Sequence, residues 1–289
     1  MSLRTVLVAG MLAVALIPAA LIGVIGVYSI NKSVRSEAQS RVNQDLEIVG
    51  TAYREQLARL AYSLEISSSR LGAAAGNSAE IISSIRRELD LTVLNLCDAE
   101  GRPIAGSHPA TVQRIPLGRD PVLRKALEGK SAWGTVVLDP ERLQMEGGPA
   151  LQEAAQIYNG DKGGEPVSRA GLLWWIACPI VESSGQVKAL LYGGRLLNFN
   201  YELVDKLRAT VFSETEFKGK PRGTVTIFKN EVRVATNVLT HDGSRAIGTK
   251  VSETVRRTVL EQGMNYTGEA LVVDAWYLSA YKPLRDPAG

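Results

Sequence analysis

The chain opens on an unbroken apolar run. Residues 5–31 hold no Asp, Glu, Lys or Arg and are rich in Val, Leu, Ile, Ala and Gly. A helix needs about 20 apolar residues to cross a bilayer core, and this run is longer. Pro18, near its middle, is tolerated in a membrane helix. A secretory signal peptide carries an apolar stretch of only about 7–15 residues before a small-residue cleavage site, so the pattern predicts an uncleaved anchor. Beyond it the apolar positions become periodic. Val42, Leu46, Val49, Tyr53, Leu57, Leu60, Leu64 and Leu71 recur every three or four residues, with one longer step. That is one apolar stripe on an amphipathic helix, expected to leave the membrane and end near Leu71. Residues 72–78 break it and residues 81–89 read as a shorter helix. The stripe suits packing on a sheet, on the helix of a second copy, or on both.

From residue 91 the period changes to that of strands. Residues 91–98 and 103–107 flank a turn, Ala99-Glu100-Gly101-Arg102. Residues 120–129 read as a helix with Asp120 as cap and Pro121 at its first position. A strand is expected over 133–138. The polar, Gly- and Pro-rich stretch 139–170 is too long for an ordinary connection and reads as an inserted loop with a helical piece near 151–157. Residues 172–182 and 186–197 form a second hairpin, 201–212 a helix, and Lys218-Gly219-Lys220-Pro221 a linker.

The order of elements then repeats. Residues 224–229 and 232–237 are a hairpin and 251–262 a helix. Gly129 and Gly134 stand at the same interval as Gly263 and Gly268, and Pro179 and Gly185 at the same interval as Pro283 and Gly289. A helix precedes, and a strand follows, the glycine pair in both copies. Gly185 introduces the last strand of the first copy, so the second copy is expected to lack that strand and the sequence to be the N-terminal part of a longer protein.

Composition removes several classes of function. The net charge is only +3, and no block of like charge marks a nucleic-acid surface. Cys97 and Cys178 each sit in an apolar run, where a buried thiol is the expected state and a single disulfide the alternative. His108 and His241 are far apart in turn-like surroundings, giving neither metal spacing nor a catalytic triad. Gly163-Gly164 lacks the Lys-Ser/Thr ending of a phosphate loop. No metal, cofactor or nucleic acid is implied. Arg4 against Lys32 and Arg35 leaves the orientation of the anchor open.

The second copy carries a family resemblance. Gly223-Thr-Val-Thr-Ile-Phe-Lys-Asn-Glu-Val-Arg-Val-Ala-Thr-Asn237, Gly243-Ser-Arg-Ala-Ile-Gly-Thr-Lys-Val-Ser-Glu253 and Trp276-Tyr-Leu-Ser-Ala-Tyr-Lys-Pro283 resemble the Cache modules of bacterial sensor histidine kinases and chemotaxis receptors. With an anchor, a long helix and two α/β copies, the chain resembles a double Cache sensor over residues 35–289. The resemblance implies an α+β fold with a PAS-like antiparallel sheet per module and the long helix along both. It divides the chain into an anchor (1–31), a stalk (32–90), a membrane-distal module (91–212) and a truncated membrane-proximal module (213–289). It places residues after about 32 in the periplasm, outside the inner membrane, as the input domain of a receptor that works as a homodimer.

In such a module the ligand lies between the sheet and the segments covering it. The resemblance points to Arg119, Asp120, Trp133, Trp174, Trp175, Tyr192 and Arg195 in the first copy. Their equivalents in the second are Asn237, Arg245, Tyr266, Trp276 and Tyr281. Aromatic walls with a few polar groups suit a small organic ligand, and an Arg suits a carboxylate. The amino-acid-binding motif of the best-known Cache subfamily is missing. Strand alternation sends Trp174 and Trp175 to opposite faces, so at most one lines the pocket. A histidine kinase output is favoured, a chemoreceptor output is the alternative, and a membrane-tethered periplasmic enzyme or a dimerisation module are the readings from other classes.

Overall fold

The computed structural model describes the backbone of residues 3–73, 77–107, 115–159, 164–212, 216–217, 220–221 and 223–288, with side chains except at 3–22, 24, 70, 72–73, 216–217 and 220–221. Helix α1 runs from Leu3 to Ala73 without interruption. The anchor expected over 5–31 falls largely on side chains outside the described residues, and among the described ones no helix is long and apolar enough to cross a membrane. His108 also lies outside them. Further along α1 the apolar stripe does what its period requires. Tyr53, Leu57, Leu64 and Leu71 are buried against Trp174, Ile176, Cys178 and Leu191, while Val42 and Leu46 are half-buried. The stripe therefore packs on a sheet. Helix α2 (Ser78–Glu88) closes the same face with Ile82 and Ile85.

That sheet has five antiparallel strands: β1 (Val93–Asp98), β2 (Pro103–Gly106), β3 (Ala132–Leu138), β4 (Gly171–Val181) and β5 (Val187–Leu196), in the order β2-β1-β5-β4-β3. Its other face is covered by α3 (Pro121–Ala126), entered through a 3-10 turn at Leu117–Arg119, and by α4 (Pro140–Ala154). Leu173, Trp175 and Ala177 of β4 join Val122, Leu123, Ala126, Leu143 and Leu151 in that second core. The period-two alternation of β4 thus separates two cores.

The stretch 139–170 departs from expectation, because half of it is helix. Asp139 accepts a hydrogen bond from the Arg142 N–H at 2.7 Å with Pro140 at the first helical position, repeating the Asp120-Pro121 start of α3. Gly147-Gly148-Pro149 hides this start from a sequence reading. Gly148 leaves helical geometry at φ 70°, ψ −167°, so α4 is two short helices joined at a kink.

Helix α5 (Tyr201–Ala209) and the two-residue strands β6 (Glu216–Phe217) and β7 (Lys220–Pro221) lead to the second copy. There β8 (Thr226–Lys229) pairs with β9 (Val232–Thr236), and β10 (Tyr266–Val272) with β11 (Ala275–Tyr281). The helix expected over 251–262 is a short α-helical turn, α6 (Glu253–Val255), running into a π-helical turn over Arg256–Glu261.

The repeat seen in the glycine spacing extends to register. Gly134 faces Trp175 as Gly268 faces Ser279, and every pair from Ala132↔Ala177 to Leu138↔Gly171 has its counterpart from Tyr266↔Tyr281 to Val272↔Ala275. The first hairpins match too, with a bulge at Leu96/Cys97 in one and at Ile227/Phe228 in the other. Ser107 Oγ accepts from the Leu94 N–H as Asn237 Oδ1 accepts from the Val225 N–H. The two copies differ at one connection, a long insertion holding α4 in the first and the turn Val273-Asp274 in the second. They differ also at β5, which lies between β1 and β4. Among the described residues no strand joins β8 to β11, so the two hairpins of the second copy are separate sheets.

Candidate functional site

Polar groups gather in the core between the first sheet and α4. Asp120 builds the first part. As cap of α3, its Oδ1 accepts from the backbone N–H groups of Val122 and Leu123 at 3.0 and 3.1 Å. Its Oδ2 accepts from the Trp175 indole Nε1 at 3.0 Å. The second part comes from α4, where Arg142 and Glu146 share a face at i,i+4 spacing. Arg142 Nη2 lies 2.6 Å from Glu146 Oε1 and 3.7 Å from Asp120 Oδ2. Asn95 of β1 donates its Nδ2 to Glu146 Oε2 at 2.7 Å and to the Glu146 carbonyl at 3.0 Å. Gly106 makes room for this, since a Cβ there would strike the Asn95 side chain. Tyr192 of β5 lies beside the same carboxylate and stacks edge-on with Trp175, ring centroids 5.8 Å apart.

A charged cluster in a protein core is costly unless its hydrogen bonds are met. Here they are met only in part. Arg142 Nε and Nη2 and Glu146 Oε1 are buried without a hydrogen bond. Burial raises the Glu146 carboxyl above its ordinary range, against the pull of Arg142 and the Asn95 hydrogen bond. Tyr192 is pushed well above the ordinary phenol value, by burial first and by the Glu146 charge second. The cluster therefore sets two carboxylates, Asp120 and Glu146, against one guanidinium beside the Trp175 and Tyr192 rings.

Of the first-copy residues expected at a ligand site, the structure brings together Asp120, Trp175 and Tyr192. Trp174 faces the opposite core and stacks edge-on against Tyr53 of α1, centroids 5.4 Å apart. Arg195 donates to the carbonyls of Asp90 and Leu89 at 2.9 and 2.8 Å, tying β5 to the end of α2. Arg119 and Trp133 are exposed, Trp133 at 44%. Asn95, Arg142 and Glu146 are the members that sequence reasoning missed. Two signals mark them: an Asn inside the apolar run of β1, and the Asp139-Pro140 helix start ahead of Arg142 and Glu146.

The second-copy residues do not form an equivalent cluster. Asn237 closes its hairpin, and Trp276 is 71% exposed. Arg245 grips Asp205 of α5 through both carboxylate oxygens at 3.0 and 2.7 Å, with its guanidinium 4.5 Å above the Tyr201 ring. Only Tyr266 and Tyr281 meet, centroids 6.0 Å apart, with Phe228 on the far side of Tyr281. Cys97 and Cys178 are free and lie in different cores on opposite faces of the sheet, so they are not paired.

Residues 195–289 match the family model for single Cache domain 3. This stretch is a Cache-type sensor module. The match begins at the end of β5 and takes in α5, which packs on β9. Among curated proteins none matches the chain. Among solved structures the chain is similar to the periplasmic domain of LuxQ from Vibrio cholerae, at 12% identity and a TM-score of 0.43, over 84% of this chain and 98% of that one. It is also similar to the extracellular domain of the putative histidine kinase rpHK1S-Z16, at 9% identity and a TM-score of 0.41, over 80% and 81%.

Proposed function

We propose that the chain is the input part of a transmembrane receptor, in which the first copy is a second Cache module that senses a small organic acid outside the cytoplasm. The buried cluster of Asn95, Asp120, Arg142, Glu146, Trp175 and Tyr192 carries this reading, because it gathers one cation, several oriented polar groups and two aromatic rings inside the module. Its membership in a Cache-like module is supported by the strand register shared with the matched copy. The apolar run 5–31 supplies the anchor, and a sensor histidine kinase is the favoured output, with a chemoreceptor as the alternative. Helix α1 carries the signal, since it packs on the first sheet and reaches the second copy through the Lys282 bonds to Glu47 at 2.7 and 2.8 Å. The receptor works as a homodimer, for which the exposed Tyr62 and Ile66 of α1 offer a face.

The test is thermal unfolding of the whole chain in detergent micelles against a library of small acids and their neutral analogues. Saturable protection by acids is expected, lost in Tyr192→Phe and Trp175→Phe and kept in Trp276→Ala. Protection by no compound, or protection lost only through changes at Tyr266 and Tyr281, would overturn the reading.

A further inference from the structure

A carboxylate already fills the cluster, and it is the chain's own. Glu146 is wholly buried and its Oε1 lies 2.6 Å from Arg142 Nη2. The contact is close but badly aimed. Neither that oxygen nor Nε and Nη2 of Arg142 makes a hydrogen bond. Both side chains spring from one helix at i,i+4 spacing, and the Glu146 carboxylate divides itself, Oε2 going to Asn95 at 2.7 Å. It does not turn both oxygens to the guanidinium. A carboxylate free of the helix can do so, meeting the planar fork with two parallel hydrogen bonds.

We propose that Glu146 is a tethered stand-in for a ligand, and that the acid sensed by the first copy binds by taking its place between Arg142, Asn95 and Tyr192. This deepens the reading that the first copy senses a small acid, and rests on it. Charge favours the exchange of like for like. One carboxylate leaves and another enters, so Arg142 keeps a close carboxylate partner, whereas a neutral molecule would leave it with Asp120 alone at 3.7 Å. The chain after Glu146 is built to let go. Gly147-Gly148-Pro149 follows at once, and Gly148 already stands at φ 70° between the halves of α4. Arg142 and Leu143 of the first half and Leu151 and Ala155 of the second stay in place, and the change is confined to Glu146 beside the kink. Displacement also breaks the Asn95 bond to Glu146 Oε2, one of the ties between the covering helix and β1. Because the tethered carboxylate competes with every incoming one, it lowers the apparent affinity and sets the threshold of response.

Truncating Glu146 at Cβ removes the equivalent of one acetate ion, so acetate is the probe and acetamide its neutral control. In whole chain held in micelles, at ionic strength matched with chloride, acetate is expected to raise the melting temperature of Glu146→Ala saturably. Its apparent affinity should exceed that of the wild type about 10-fold or more. Acetamide should do nothing, and Arg142→Met in the Glu146→Ala background should abolish the effect. Should Glu146→Ala not fold unaided, recovery of its folded circular-dichroism spectrum on adding acetate, but not acetamide, supports the proposal. Acetate protecting Glu146→Ala no better than wild type, acetamide matching acetate, or no recovery by either would overturn it. Library acids that bind Glu146→Ala no more tightly than wild type would sink the displacement and leave sensing intact. Acetate rescue without any library hit on the wild type would sink sensing and leave the seat.

Discussion

Asp120 shows how much one residue settles. One oxygen starts α3 and the other satisfies the Trp175 indole. Asp120→Ala should lose about 1 kcal/mol of capping, plus about 1–3 kcal/mol for a buried indole N–H left unpaired. Urea unfolding of Asp120→Ala and Trp175→Phe, singly and together, checks this, because the indole part should vanish in the double variant. Glu146 makes a pH prediction. Its carboxyl is raised by burial, so its contribution to stability is whole below the ordinary carboxylate value and is lost as pH rises through the raised one. Glu146→Gln removes that loss, while Arg142, Asp120, Tyr192 and Cys97 around it stay the same. The stability of Glu146→Gln relative to wild type should therefore climb as pH rises from the ordinary carboxylate value through the raised one; parallel curves would contradict it. The thiols of Cys97 and Cys178 are each pushed up to about 12 by burial. Maleimide should label neither in the folded chain and both in urea.

At the scale of elements, most of the fold was legible because period and caps act locally. The stripe of α1, the cap of α3, the strands of both copies and the alternation that separates Trp174 from Trp175 all follow from near neighbours in sequence. Leu64, wholly buried where α1 meets the sheet, should cost roughly 2–5 kcal/mol on truncation to Ala. What could not be read depends on distant partners. Arg195 lies at the end of a strand, where a ligand contact fits the sequence, yet its partners are the carbonyls of Leu89 and Asp90, far away in sequence and adjacent in space. Arg245 is a clamp on Asp205 for the same reason. Being part-exposed, that ion pair should contribute only about 0.2–1 kcal/mol in a double-mutant cycle. The three missed members of the cluster share another cause. Two ride on α4, whose start was legible in Asp139-Pro140 but masked by Gly147-Gly148-Pro149, and Asn95 gains meaning only once α4 covers it.

For the whole molecule, the proposed sensing depends on the repeat. Two copies with one register lie along a helix that at about 1.5 Å per residue reaches roughly 100 Å. The first copy alone carries the insertion with α4, and this insertion returns to touch the second copy. A Cβ on Gly248 would strike the Tyr158 carbonyl just after α4, and Gly248 holds φ 82°. The first copy thus meets the second in two ways, through α1 and through the Tyr158–Gly248 contact, and these are the routes the proposed signal would take. A ligand moves such an assembly only by its difference in affinity for two states. The most direct test is hydrogen exchange on the whole chain in lipid nanodiscs, with and without an acid that protects it. Slower exchange across residues 140–154, together with altered exchange along residues 43–71 of α1, is the expected result. Changes confined to residues 223–288, or acid binding that leaves α1 untouched, would contradict it.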